Sequence, residues 1–348
     1  MIIQFNNKKI DLIPKSIQVE LTGKCNLLCK HCRGGNLSKT DVSLELFEKL
    51  LNFAGVKQGF NMILSGGEPL LNPYFPQILE KLETLKPNEI VVTTNGTLIN
   101  EDYVALFKKI RNFKLTVQVS LDSIFEEEHN KLRGTCFAYK DAIRGIKLLS
   151  SNGIFTSIRA TITPKQINEM EAIIENAISL GAKRVGLSTI VPVGRAIFLD
   201  KSLFFANGSK LDFMKRFNDL REKYSTQIEV VTHEPQKACF TEQIDKNGDY
   251  TWFFGGCTAG IGQLNMESDG SITPCALLNA KITNIKNKSI EEARLEYSNS
   301  SIIKDLLKKN YKGKCSVCNF KHHCGGCRAI PYGLENDAMG EDITCFLK

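Results

Sequence analysis

The feature that most constrains this chain is an alternation running from residue 17 to about 224, in which short runs rich in β-branched residues take turns with amphipathic stretches. Runs over 17–21, 60–64, 89–94, 115–121, 155–163 and 184–190 read as strands, and helical periodicity falls at 43–53, 74–85, 102–110, 139–150 and 166–180. A helix between two strands is long enough to carry the chain back, so the next strand lies parallel to the last. Repeated βα units of this kind predict an α/β fold with a parallel sheet. Six of them suit an open, partial (β/α)6 TIM-like barrel better than a closed eight-fold one, and chemistry then belongs on loops at the strands' C-terminal ends. A helical pattern over 211–224 and a β-rich run over 228–232 close this first domain, residues 1–234.

Past residue 232 the periodicity stops, and eight of the twelve cysteines fall between Cys239 and Cys345, which defines a second, cysteine-rich domain over 235–348. Residues 1–14 lack the charged-then-apolar layout of a signal peptide, and no apolar run is long enough to span a bilayer. A cytoplasmic location and no membrane partner are expected. In a reducing compartment so many cysteines point to metal binding or redox chemistry, not to disulfides. The net charge of +7 is spread along the chain, without a basic run interleaved with aromatics, so nucleic acid is not an expected partner.

Directly after the first strand come Cys25, Cys29 and Cys32, spaced four and three residues apart. Three thiolates on so short a loop can hold three irons of a cubane cluster and leave the fourth open. A zinc knuckle wants a fourth ligand, and His31 sits directly beside Cys32, where both would have difficulty reaching one tetrahedral ion. The second strand runs into Ser65-Gly66-Gly67-Glu68-Pro69, where Gly66 and Gly67 let the backbone approach a ligand and Glu68 can pair with an ammonium. Thr94-Asn95-Gly96 ends the third strand in a turn. The fourth strand ends Ser120-Leu121-Asp122-Ser123, residue types that equally cap backbone. After the sixth, Pro192-Val193-Gly194-Arg195-Ala196 carries one guanidinium, for a substrate carboxylate or for water.

The second domain holds Cys257, a hairpin over 263–274 turning at Asp269-Gly270, then Cys275, Cys315, Cys318, Cys324, Cys327 and finally Cys345. Two C-x2-C pairs with His322 and His323 nearby also suit zinc, although seven ordered cysteines exceed one zinc site. Cys136 stands apart from every cluster motif and is most simply a lone thiol.

The C-x3-C-x2-C loop after a first strand resembles the signature of radical S-adenosylmethionine (SAM) enzymes, and the later cysteines resemble their SPASM extension. The resemblance runs from residue 17 to 345. It implies a 4Fe-4S cluster on Cys25, Cys29 and Cys32 whose open iron chelates SAM, so that an electron cleaves SAM to a 5'-deoxyadenosyl radical. By the same resemblance Gly66, Gly67 and Glu68 hold the SAM amino group, Asn95 lines its cavity, Ser120 reaches its carboxylate or ribose, and Arg133 and Arg144 are candidate partners of its carboxylate. His31 stands where relatives often carry an aromatic residue. Two auxiliary 4Fe-4S clusters are implied, one on Cys239, Cys257, Cys275 and Cys327 and the other on Cys315, Cys318, Cys324 and Cys345, with two residues instead of the usual three between Cys324 and Cys327.

The resemblance names no catalytic side chain. Its first implied function is hydrogen abstraction from a ribosomally made peptide or protein side chain, and its second is synthesis of a haem-like or quinone cofactor. Sulfatase maturation ranks below both, because Ala276 stands where those relatives carry an Asp. A non-catalytic zinc scaffold is the reading from another class, and the Gly-Gly-Glu after the second strand argues against it. With only sixteen residues before the first strand, a separate leader-binding protein is an expected partner of the peptide reading, beside an electron donor such as flavodoxin or ferredoxin.

Overall fold

The structure, a computed structural model, describes residues 2–5, 8–35, 38–56, 58–240 and 256–347. Strands β1 (Ile2–Phe5) and β2 (Lys8–Asp11) form a small antiparallel hairpin ahead of the main sheet. Then β3 (Ser16–Glu20), β4 (Asn61–Ser65), β5 (Glu89–Thr94), β6 (Lys114–Ser120), β7 (Thr156–Ile162), β8 (Arg184–Thr189) and β9 (Glu229–Val231) lie side by side in chain order, every neighbour parallel. The connecting helices are α1 (Leu44–Ala54), α2 (Phe75–Leu85), α3 (Glu101–Phe107), α4 (Glu126–Arg133), α5 (Ala138–Ser151), α6 (Met170–Ser179) and α7 (Asn207–Lys223).

One face of each strand supplies the core. Ile17, Val19, Leu64, Val92, Val117, Val119, Ile158, Val185 and Leu187 are buried against the helices. The opposite face is concave, because Glu89 of β5 meets Arg184 of β8 at 3.1 Å, a contact that passes over β6 and β7. Side chains alternate between faces along a strand. In-register pairing therefore puts Gln18, Glu20, Ser65, Thr93, Gln118, Ser120, Ser157, Arg159, Gly186 and Ser188 around this interior.

The sheet does not stop at six strands. Besides β9, it gains β10 (Gln263–Met266), which runs parallel to β3, and then β11 (Ser271–Thr273) and β12 (Thr283–Asn284), giving ten strands in the order β12-β11-β10-β3-β4-β5-β6-β7-β8-β9. The hairpin read at Asp269-Gly270 is thus the edge of the main sheet. Helices α8 (Ile290–Asn299), α9 (Ser301–Lys308), α10 (Lys314–Val317) and α11 (Ala329–Glu335) follow. Tyr297 of α8 packs edge-on against Phe53 of α1, ring centres 5.9 Å apart.

Two local readings shift. The helix expected over 166–180 begins as a tight 3-10 turn, Pro164–Glu169, because Thr163 and the Gln166 side chain cap it there, and it becomes α-helical only from Met170. Helix α4 has the sequence EEEHNKLR, with no apolar stripe to announce it.

Candidate active site

The loop carrying Cys25, Cys29 and Cys32 leaves β3 and is pinned from three sides. From β4, Gly67 N donates to Thr22 O at 2.7 Å and Glu68 N to Lys24 O at 2.8 Å. The backbones meet so closely that a Cβ on Gly67 would lie 2.0 Å from Lys24 O. These glycines therefore let the end of β4 approach the cysteine loop. From the turn after β8, Arg195 N donates to Cys32 O and Arg195 Nε to Cys29 O, both at 2.9 Å. Gly194, at φ +58°, is required there because a Cβ would lie 2.3 Å from Arg33 O. Through Nε the Arg195 guanidinium thus holds loop backbone. From the end of α4, Leu132 O accepts Lys30 N at 2.8 Å.

The three thiols gather around Leu27 and Ala138. Burial pushes Cys25 up to about 11 and also raises Cys29, and the neighbouring Cys32 adds to both. Leu27 N donates to Cys25 Sγ at 3.4 Å and Arg133 Nη1 to Cys29 Sγ at 3.8 Å. Donors aimed at sulfurs that burial would otherwise keep protonated suit a set that binds metal as thiolates.

Glu68 is buried at the end of β4. Its carboxylate accepts Thr94 Oγ1–H at 2.7 Å, Asn95 N at 2.8 Å and Leu70 N at 3.4 Å, and among the described residues no ion pair reaches it. Burial pushes its pKa up to about 7. Asn95 Nδ2 donates to Asn26 Oδ1 at 2.9 Å, and Asn26 Nδ2 to Thr97 Oγ1 at 2.7 Å. Glu68 and Asn95 are therefore brought together and wired to the cysteine loop through Asn26, whose only sequence signal was its place inside C-x3-C.

The other candidates separate. Ser120, on the concave face of β6, makes no side-chain hydrogen bond among the described residues. Arg144 is half-exposed on α5, and its guanidinium donates to Ile99 O at 2.6 Å and Thr97 O at 2.9 Å, so it braces a turn instead of reaching a SAM carboxylate. Arg133 is buried, with Nε and Nη2 on Asp122 Oδ2 at 2.7 and 2.6 Å. Burial alone would raise Asp122, but Arg133 holds its carboxyl well below the usual range. Cys136 is exposed and outside the site.

Arg33 was missed by sequence reasoning. It pairs with Glu20 and donates to Ser65 Oγ at 3.3 Å and Ala276 O at 3.4 Å, so it spans from the cysteine loop to the segment after Cys275. Around that segment the Cys275 and Cys327 thiols are raised by burial first, and both also by the charge of Cys257 beside them. Backbone N–H groups two residues on again aim at sulfur: Leu277 N at Cys275, Phe320 N at Cys318 and Gly326 N at Cys324, at 3.3–3.4 Å. Cys345 is raised to about 11 by burial, then by Asp342, Cys324 and Cys315.

Cys239 lies beside Cys324, a residue of the other expected set, and raises its thiol. The cause of this placement is the docking of the 3-10 turn Pro235–Phe240 on the chain's last described residues, where Phe240 packs on Phe346 at 5.6 Å and Gln236 Nε2 donates to Asp342 Oδ2 at 2.8 Å. Most of the stretch between Cys239 and Cys257 lies outside the described residues. Among the described residues no three His, Cys, Asp or Glu side chains converge tightly enough for a single metal ion, and no helix is long and apolar enough to cross a membrane. A surface cleft of about 560 Å³ lined by Asn218, Arg221, Glu222, Ser225 and Phe240 contains none of the candidate site residues.

Residues 19–177, which contain the cysteine loop, Glu68, Asn95 and Ser120, match the Radical SAM superfamily. That stretch is a radical SAM domain. Such a domain implies a 4Fe-4S cluster and SAM, and the thiols of Cys25, Cys29 and Cys32, with their hydrogen-bond donors, fit that group. Along nearly its whole length this radical SAM enzyme is similar to the AdoMet-dependent heme synthase of Methanosarcina barkeri, 27% identical over 96% of this chain and 97% of that one. It is also similar to the antilisterial bacteriocin subtilosin biosynthesis protein AlbA of Bacillus subtilis, 26% identical over 90% of this chain and 67% of that protein. Its fold is that of Streptococcus suis SuiB, solved bound to the precursor peptide SuiA: TM-score 0.75, 18% identity, 96% of this chain and 76% of that one. The likeness runs through the cysteine-rich region, as expected of a SPASM-type enzyme.

Proposed function

We propose that this radical SAM enzyme acts in the synthesis of a haem-like cofactor, on a tetrapyrrole bearing carboxylate side chains. The observation that carries the reading is the end-to-end similarity to an AdoMet-dependent heme synthase, with no large segment of either chain left over. The Arg159 guanidinium on the concave face of β7 agrees with a substrate bearing carboxylates. Peptide modification, the first expectation from sequence, becomes the second reading, supported by the similarity to AlbA and the SuiB fold.

In this reading Cys25, Cys29 and Cys32 hold the SAM-binding cluster, which with SAM supplies the 5'-deoxyadenosyl radical. Glu68, buried without a cation, would receive the SAM ammonium, with Asn95 and Ser120 beside the same cavity. Cys257, Cys275 and Cys327 would hold one auxiliary cluster and Cys315, Cys318, Cys324 and Cys345 the other, Cys239 lying against the second set. The barrel and the cysteine-rich cover would orient the substrate carbon and exclude water around it.

Anaerobic reconstitution with iron and sulfide tests the cofactor count: about twelve irons per chain for three cubane clusters, and about eight after Cys29→Ala. Reduction with SAM and iron coproporphyrin III then tests the substrate class. The expected result is 5'-deoxyadenosine together with a porphyrin of altered mass. Deoxyadenosine formed beside an unaltered porphyrin would overturn the tetrapyrrole reading in favour of a peptide.

A further inference from the structure

We propose that Arg159 is the anchor for a substrate carboxylate inside the barrel, in a subsite shaped by Gly186. Register places Arg159 on the concave face of β7, opposite Ser120 of β6 on one side and Gly186 of β8 on the other. Other arginines of this interior are committed: Arg33 to Glu20, Arg133 to Asp122, Arg184 to Glu89 and Glu229. Among the described residues the Arg159 guanidinium makes no hydrogen bond and no ion pair. The carboxylates that act on it from a distance are Asp122 and Glu234. Asp122 is bound by Arg133, and Glu234 is bound by Lys210 and by Thr189 N and Oγ1.

The surroundings are built for a guest of opposite charge. A Cβ on Gly186 would meet nothing nearer than 3.7 Å. A side chain there would find ordinary contact with Val231 and Ile158 O, so packing does not require the glycine, and its effect is to leave room for about a methyl group on the strand beside Arg159. Ser157 and Ser188, on the same face of β7 and β8, carry buried hydroxyls without hydrogen-bond partners. His233, just past β9, is near enough to feel the Arg159 charge; burial and then Arg159 push it down to about 4, leaving a neutral imidazole. A planar guanidinium with unpaired forks and flanking hydroxyls matches a carboxylate. The subsite lies on the β7–β9 side of the barrel, whereas the cysteine loop, Glu68 and Asn95 follow β3, β4 and β5. Ser120 of β6, beside the SAM cavity, borders the subsite, while Gly186 and Ser188 extend it away from the cysteine loop; that extension assigns it to the substrate in preference to SAM, and the identity of the substrate rests on the tetrapyrrole reading.

A guanidinium enclosed without a partner costs stability until its ligand arrives, which separates an anchor from a structural residue. The test uses the reconstituted full chain as wild type, Arg159→Met and Arg159→Lys. Iron coproporphyrin III and its tetramethyl ester are titrated by absorbance, SAM by equilibrium dialysis, and melting temperature is measured without ligand. Wild type is expected to bind the acid at least about 10-fold more tightly than the ester. Arg159→Met should lose that preference, keep its SAM affinity and melt at a higher temperature, while Arg159→Lys retains part of the preference. A lower melting temperature for Arg159→Met, a surviving preference for the acid, or weakened SAM binding would each overturn the assignment, the last by giving the carboxylate to SAM. Should wild type bind neither porphyrin, the tetrapyrrole reading falls, and glutarate decides the anchor separately: a rise in melting temperature in wild type and none in Arg159→Met supports it, and any other pattern overturns it.

Discussion

A carboxyl group held as Glu68 is, by a hydroxyl and backbone N–H groups and by no cation, keeps its proton up to about pH 7. The ordinary value is 4.5. Between those two pH values the folded chain retains a proton that the unfolded chain has released, so stability without SAM should fall as pH rises through that window. Glu68→Gln should flatten the slope by on the order of 3 kcal/mol, read as urea unfolding at pH 5 and pH 8. An unchanged slope would show that Glu68 is not its source. Asp122 behaves oppositely, because Arg133 keeps it ionised in the interior. Arg133→Ala strands that charge and should cost about 3–5 kcal/mol, whereas Asp122→Asn with Arg133→Met should cost clearly less. Equal losses from the two would mean that the carboxylate is not the penalty.

Elements meet at the cysteine loop through two turns that only glycine permits. Gly194→Ala drives a methyl into Arg33 O and Gly67→Ala one into Lys24 O. Both variants should fold, since the strands behind them are unaltered, yet lose about a third of the reconstituted iron, that of the loop's own cluster. Full iron content in either would show that the loop tolerates displacement. The strands and most helices of the barrel were legible because each carries a periodic apolar face that the core requires. Helix α4 was not, since EEEHNKLR owes its place to its ends and to the buried Arg133. Within the site the same division holds. Cys25, Glu68 and Asn95 sit in short contiguous motifs, whereas Arg33 acquires meaning only from Glu20, Ser65 and Ala276, the last 243 positions away. Arg133 and Arg144 looked alike in sequence, and only the fold shows one facing Asp122 and the other a pair of turn carbonyls. Cys239 was grouped by order along the chain, which carries no sign of the contact of Phe240 with Phe346 that brings it beside Cys324.

At the scale of the molecule, the cysteine-rich half is bound into the barrel by sheet hydrogen bonds, with β10 lying along β3. A chain ending at residue 234 would leave one side of β3 unpaired, and unpaired edges template aggregation. Such a truncation is expected to be insoluble or to elute as large oligomers in size-exclusion chromatography; a well-behaved monomer would show that β3 does not need its partner. Arg33 adds a second tie, holding Glu20 and Ser65 on one side and Ala276 on the other.

The pairing of β10 with β3 also sets a clock. Ser16 is opposite Gln263, about 250 residues further on, and a ribosome adding about 5–20 residues per second needs roughly 12–50 s to cover that distance. For that interval the first barrel strand has emerged while the neighbour that will cover its outer side has yet to be made. The nascent barrel must be shielded or kept loose until β10 has been made, so synonymous codons that slow translation between β9 and β10 should lower the yield of soluble protein without altering a single residue.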